Sequence, residues 1–247
     1  MTKELEILVD EIVLADKLGI DAYAIGEHHR KDFAVSKPEI VLAMAASKTK
    51  QIHLSSATTN LPTINSIRVY EQYATMDAIA PGRIEIMAGR GSFTEAFDLF
   101  GYDLDDYDDL FKEKLDMLLA MNKNEILDWP GGKFTPKVDH IGIYPRPEKP
   151  LPISLATGGS PASTIRAAEM GLPIVYAIIG GKMEQFAPLI KLYKAVAERK
   201  GQDLSQMPIA AHSWGWLSDD KEKARNTFTQ LNCLLIRSVK NDQIGLV

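Results

Sequence analysis

Short apolar runs alternate along this chain with stretches of helical periodicity, and that alternation narrows the choice of fold more than any other feature. Strands are predicted at Asp21–Gly26 (DAYAIG), Ile52–Ala57, Arg83–Ala88, Pro152–Ala156, Pro173–Ile179 and Met207–His212. Helices are predicted over 2–18, 38–48, 66–79, 110–121, 162–170 and 183–199, and onward from Lys221. The first helix carries a stripe at Leu5, Leu8, Ile12 and Leu14, with Thr2 as its cap and Gly19 as its stop. Pro38 sits in an early helical position, where its missing N–H is harmless. Strands that are apolar almost throughout must be covered on both faces, so the pattern predicts a parallel sheet overlaid by helices.

No linker rich in Ser, Gly or Pro interrupts the spacing, so one domain over 1–247 is expected. The predicted fold class is α/β, a TIM-type β/α barrel, with an open doubly wound sheet as the second choice. About six strands can be counted where a closed barrel has eight. The barrel is therefore expected to be incomplete, opening inside a first helix and stopping before a last strand, as a truncated form would.

The formal net charge of -5 over 247 residues gives no basic stripe and argues against nucleic acid as the main partner. Cys233 is the single cysteine, so an internal disulfide or a cysteine-rich metal site is excluded. The charged opening Met-Thr-Lys-Glu lacks an apolar leader core, and no uncharged run reaches the ~18–20 residues that span a bilayer. A cytoplasmic protein with no membrane partner is expected.

In a β/α barrel, chemistry gathers where strands end. Four predicted strand ends carry unusual polar groups. Glu27, His28, His29 and Arg30 follow the first strand; a local backbone contact for one ring and solvent for the other account for the pair equally well. A metal reading needs a third ligand, His53 or His212, and the H-x-H and H-E-x-x-H spacings are absent, so no metal is assigned. The run Ser55 to Asn60 ends the second strand with small residues that let a flat ligand approach, or form an ordinary polar loop. Ala88-Gly89-Arg90-Gly91-Ser92 sets a guanidinium between glycines, which suits a phosphate or a plain tight turn; it does not match G-x-G-x-x-G. Thr157 to Thr164 joins a strand to a helix with Ser160 as cap, Pro161 at the first helical position and Ser163 in the first turn, an anion site or simply a well-capped helix. Two such anion-binding patterns favour a phosphorylated ligand.

The run IHLSSATTNLPTINSIRVYEQYATMDAIAPGRIEIMAGRGSFTEAFDLFGYD (52–103) resembles the bacterial luciferase-like flavin monooxygenases, as do GIDAYAIGEHHRKDFAVSKP (19–38) and ATGGSPASTIRAAEMGLPIVYAIIGG (156–181). The resemblance covers roughly 3–218. It implies reduced FMN, or less readily the deazaflavin F420, at the C-terminal mouth of a barrel. By the same resemblance Arg90, beside Gly91, pairs with the flavin phosphate, and Ser160 and Ser163 with the Gly159 region complete the cradle. It places His29 near the flavin ring with Glu27 and His28 in support, and it matches Ala57–Thr58 to a non-prolyl cis peptide beneath the ring. His212, in HSWGW, is added as a pocket residue. The first and last strands of the family pattern are not seen, and the tail NCLLIRSVKNDQIGLV matches nothing in it.

The resemblance implies an oxidoreductase in which reduced flavin and molecular oxygen oxidise a small organic substrate, with a flavin reductase and a homodimeric state as expected partners. The alternative is a non-catalytic flavin-binding protein like the family's shortened nonfluorescent flavoprotein. A metal-dependent hydrolase using His28, His29 and His212 is the third reading.

Overall fold

Positive-φ glycines end several of the helices in this chain, at Gly19, Gly101 and Gly171. The computed structural model describes residues 2–91, 93–179 and 182–229. Ser92, Cys233, the tail from 232 to 247 and the side chain of Thr2 lie outside the described residues. The chain forms two compact units, 1–153 and 154–247.

In the first unit, α1 (Thr2–Lys17) stops at Gly19, whose φ of 76° lets the chain reverse while Ile20 N–H donates to the Ala15 carbonyl. The parallel strands β1 (Ala22–Ile25), β2 (His53–Ser56) and β4 (Ile84–Gly89) follow, with β2 between the other two. Ile25 lies opposite Ser56 and Leu54 opposite Ile84. The two-residue strand β3 (Thr59–Asn60) also pairs with β4, setting Asn60 opposite Gly89. The strand read as buried, β1, buries only Ile25, because β2 is its single pairing partner among the described residues.

The crossover helices are α2 (Pro38–Ala46) and α3 (Ser66–Ile79); α3 has the bounds the sequence pattern predicts, because Asn65 caps it by accepting from the Ile67 and Arg68 N–H groups. The core packs Ile12, Leu42, Ile52, Leu54, Val69, Tyr73, Ile84 and Ile86 at 0% or 1% exposure. Each such side chain contributes roughly 1.5–3 kcal/mol. After β4 come α4 (Glu95–Phe100) and α5 (Tyr107–Lys123). Lys114 of α5 is buried, donates from Nζ to the Pro62 carbonyl and lies over the Tyr102 ring, so it pins the segment after β3. Burial pushes its pKa down to about 8.

The stretch 122–151, irregular in the sequence, holds an antiparallel hairpin, β5 (Ile126–Trp129) and β6 (Val138–Gly142), bulged between Leu127 and Trp129. Its alternation is too short and too exposed to read as strand from composition.

In the second unit, β7 (Ile153–Thr157), β8 (Ile174–Ile178) and β9 (Ile209–Ser213) are parallel, with α6 (Pro161–Met170) and α7 (Ala187–Arg199) as crossovers. The helix expected from 183 begins as a 3-10 turn over Met183–Phe186 before α7. Residues 221–229 are helical, capped by Asp220. Thus both units repeat the parallel β/α motif of the barrel class. Six main parallel strands are present among the described residues, where a closed barrel has eight. No described helix is long and apolar enough to cross a membrane.

Candidate functional site

At the end of β1 the chain passes Gly26 and buries Glu27 to 3% exposure. Both carboxylate oxygens are engaged: Oε1 lies 3.1 Å from His29 Nε2, and Oε2 accepts the Asn60 N–H at 3.3 Å. Asn60 Nδ2 donates back to the Glu27 carbonyl at 3.3 Å, and Lys37 Nζ stands 4.0 Å from Oε1. The register of β3 on β4 brings Asn60 to this place. His29 is enclosed, its side chain 7% exposed, its backbone N–H donating to Glu95 Oε1 at 3.3 Å and its ring edge-on to Phe100 at 5.0 Å. When Nε2 donates to Glu27, Nδ1 of the neutral ring is left as an acceptor; a cationic ring presents N–H groups on both sides.

His28 has a different setting. Its ring packs on Phe33 at 4.0 Å and against the edge of Phe93 at 5.3 Å. Burial pushes its pKa below the ordinary imidazole value, and the Glu95 carboxylate only partly opposes this. It is an aromatic packing group, neutral near pH 7.

The second strand end carries the Ala57–Thr58 peptide in the cis form. The Ala57 N–H donates to the Ile25 carbonyl at 2.7 Å, and Thr58 Oγ1 donates to Asn60 Oδ1 at 3.3 Å. Across from it, a Cβ on Gly89 would come within 2.5 Å of Thr58 Oγ1, so only glycine fits. Gly91, at φ 76°, is likewise closed to a side chain by Asn60 Oδ1, 2.8 Å from where a Cβ would stand. Between these glycines, Arg90 pairs with Asp108 and stacks over Tyr107 at 4.6 Å. Its side chain is 19% exposed against 72% for Asp108. An ion pair with so exposed a partner is worth ~0–1 kcal/mol, so a dianion competes well for the same guanidinium.

The second unit presents a compact loop between β7 and α6. Thr157 Oγ1 accepts the Gly159 and Ser160 N–H groups, both at 3.3 Å, and Ser160 Oγ accepts the Ser163 N–H at 3.4 Å. Pro161 opens α6, and Ser163 is 4% exposed. Gly159 has φ 113°, and a Cβ there would lie 3.1 Å from Phe186. His212 stands on β9, exposed, in register with Ala177.

The first unit therefore brings together Glu27, His29, Thr58, Arg90 and Gly91, with His28 packed alongside. Gly159, Ser160, Ser163 and His212 belong to the second. Sequence reasoning passed over Glu95 and Asp108, which carry no motif; their roles depend on which loops meet. His53, weighed as a metal ligand, opens β2 and pairs with Glu85 at 2.9 Å. Among the described residues no three His, Cys, Asp or Glu side chains are grouped as metal ligands would be.

A sequence profile described as luciferase-like monooxygenase matches residues 2–240. The chain belongs to the luciferase-like monooxygenase family. Among its curated relatives, the N-acetyl-S-alkylcysteine monooxygenase of Bacillus subtilis is 31% identical over 176 residues, 69% of this chain and 50% of that protein. The monooxygenase RslO1 of Streptomyces bottropensis superposes with a TM-score of 0.86 at 23% identity, covering 96% of this chain and 73% of the other. The FMN-bound oxygenating constituent of 3,6-diketocamphane monooxygenase from Pseudomonas putida gives 0.74 at 21%, covering 92% and 66%. An F420-dependent secondary alcohol dehydrogenase gives 0.80 at 18%, covering 95% and 72%. At these identities the structural likeness establishes the fold. This luciferase-like chain spans about half the length of the curated relatives it matches.

Proposed function

We propose that this chain binds a flavin-type cofactor, FMN before F420, and takes part in the oxidation of a small organic substrate. The observation that carries the proposal is the strand-end cluster of the first unit, where a buried Glu27–His29 pair lies among small residues and an arginine flanked by glycines. The donor set fits the group: a guanidinium suits a phosphate, and the small, half-buried Ala57 and Thr58 suit a flat ring set against the backbone. Family membership and the FMN- and F420-bound solved relatives support the same reading.

When bound, the flavin supplies the redox equivalents and the reaction with molecular oxygen. The chain supplies position and proton control. Arg90 and Gly91 bind the anionic tail. Within the second unit, Gly159, Ser160 and Ser163 at the start of α6 form an anion cradle of their own. His29, oriented by Glu27 at Nε2, offers Nδ1 as the ring atom that holds or accepts a proton. His28 with Phe33 and Phe93 keeps water from that ring. His212 is proposed as a pocket residue with no proton role. A flavin reductase that delivers reduced cofactor, a homodimeric state and a cytoplasmic setting complete the proposal.

The test is titration of the chain with oxidised and reduced FMN and with F420, followed by calorimetry. Arg90→Ala is expected to weaken FMN about 10- to 100-fold, the loss of one charge-assisted contact. Absence of binding by every form of both cofactors, or an Arg90→Ala variant that binds equally well, would overturn the reading. Binding without reductase-coupled oxygen consumption would make the chain a flavin carrier instead of an oxidoreductase.

A further inference from the structure

Three hydroxyls meet where β2 ends, each from a different element. Ser56 closes β2, Thr59 opens β3 and Tyr73 lies on α3, and all three residues are enclosed at 0% exposure. Ser56 Oγ stands 2.6 Å from Thr59 Oγ1, and Thr59 Oγ1 stands 2.9 Å from the Tyr73 hydroxyl. That hydroxyl donates to Ser56 Oγ at 2.7 Å. Three protons shared over three pairs close a ring in which each hydroxyl donates once and accepts once. Burial pushes the Tyr73 phenol up from its ordinary value, so it stays a donor through the neutral range.

The ring brackets the Ala57–Thr58 turn, which lies between Ser56 and Thr59 in the chain. The turn meets the neighbouring strand ends: the Ala57 N–H donates to the Ile25 carbonyl, and Thr58 fills the space beside Gly89. Asn60, the next residue along, donates its N–H to Glu27. Apolar side chains at 56, 59 and 73 would bury no polar atom and would tolerate a shift of one element against another. A buried hydroxyl without a partner is costly, so three that are satisfied only together admit one placement of β2, β3 and α3. We propose that Ser56, Thr59 and Tyr73 are positioning residues, whose closed ring of hydroxyls fixes the Ala57–Thr58 turn as the seat for the flat ring of the cofactor. This rests on reading the strand ends of the first unit as the flavin site.

The experiment pairs amide hydrogen exchange on the chain without flavin with titration by FMN and F420. Tyr73→Phe removes one oxygen. It is expected to speed exchange of the Ala57 and Asn60 N–H groups about tenfold and to weaken the cofactor that wild type binds about tenfold, the worth of one hydrogen bond. Ile12→Ala, a cavity in α1 outside the ring, is the control: it should lower Tm and leave both readings alone. Thr59→Val opens the ring from another side. The double variant should lose less than the product of the two single losses, because one gap already breaks the closure. Should Tyr73→Phe not fold, Thr59→Val and Ser56→Ala carry the same comparison. Exchange in Tyr73→Phe equal to wild type, effects that merely track Tm as in Ile12→Ala, or fully multiplicative losses would each overturn the proposal. A wild type that binds neither cofactor sinks the flavin reading, and amide exchange still decides whether the ring holds the turn. Equal cofactor binding by wild type and Tyr73→Phe does the reverse.

Discussion

The strand ends of the first unit and the β7–α6 loop of the second both collect polar groups, yet they are held in opposite ways. In the first, His29 is fixed by Glu95, 66 residues away, and Glu27 by Asn60, 33 residues away. In the second, the side-chain hydroxyls of Thr157 and Ser160 accept from N–H groups two or three positions on. In one region the side-chain bonds join separate chain segments, and in the other they close within a single turn. The first should fail by losing its fold support, the second by losing backbone geometry.

The largest expected effect separates the two at once. Glu27→Ala removes the acceptor for His29 and for the Asn60 N–H inside a closed cluster, and should lower stability by about 3 kcal/mol in urea unfolding. A loss below about 1 kcal/mol would show that the cluster does not hold the first unit together. Next comes Gly159→Ala, which forces a non-glycine residue to φ 113° and sets a Cβ 3.1 Å from Phe186. About 2 kcal/mol of destabilisation is expected. Ser160→Ala should cost about 1 kcal/mol, the loss of a single cap, visible as a small drop in Tm.

The smallest effect is a pH slope from His28. Its folded pKa lies below the ordinary value of 6.5, so the unfolded chain binds more protons as the pH falls below that value. Stability should therefore be lost on acidification below about pH 6.5, down through the depressed folded pKa. His28→Phe keeps the packing on Phe33 and Phe93 and should flatten that part of the profile in thermal melts between pH 5 and 7. An unchanged slope would assign the acid loss to other groups.

The same contrast explains what was readable beforehand. The Ser160 cap, Pro161 at the start of α6, the Gly19 stop and the full extent of α3 were legible because each depends on bonds within a few residues. Arg90 was legible as an anion group, but Asp108, its partner 18 positions on, was not. The hairpin of β5 and β6 was missed because a bulged, half-exposed pair leaves no alternation to find. The burial of β1 was overread for the opposite reason: apolar composition reports covered faces only when neighbouring strands are present on both sides.

By itself the sequence determined the parallel β/α repeat, the cap and stop of its helices, and the kinds of polar group at its strand ends. Those follow from side-chain period and from hydrogen bonds that close within one turn. Tertiary structure alone decided that His29 meets Glu27 and Glu95 and that His28 is a packing ring. Strand register and loop contacts set those neighbours, and no local rule encodes which distant segment will arrive beside a given side chain.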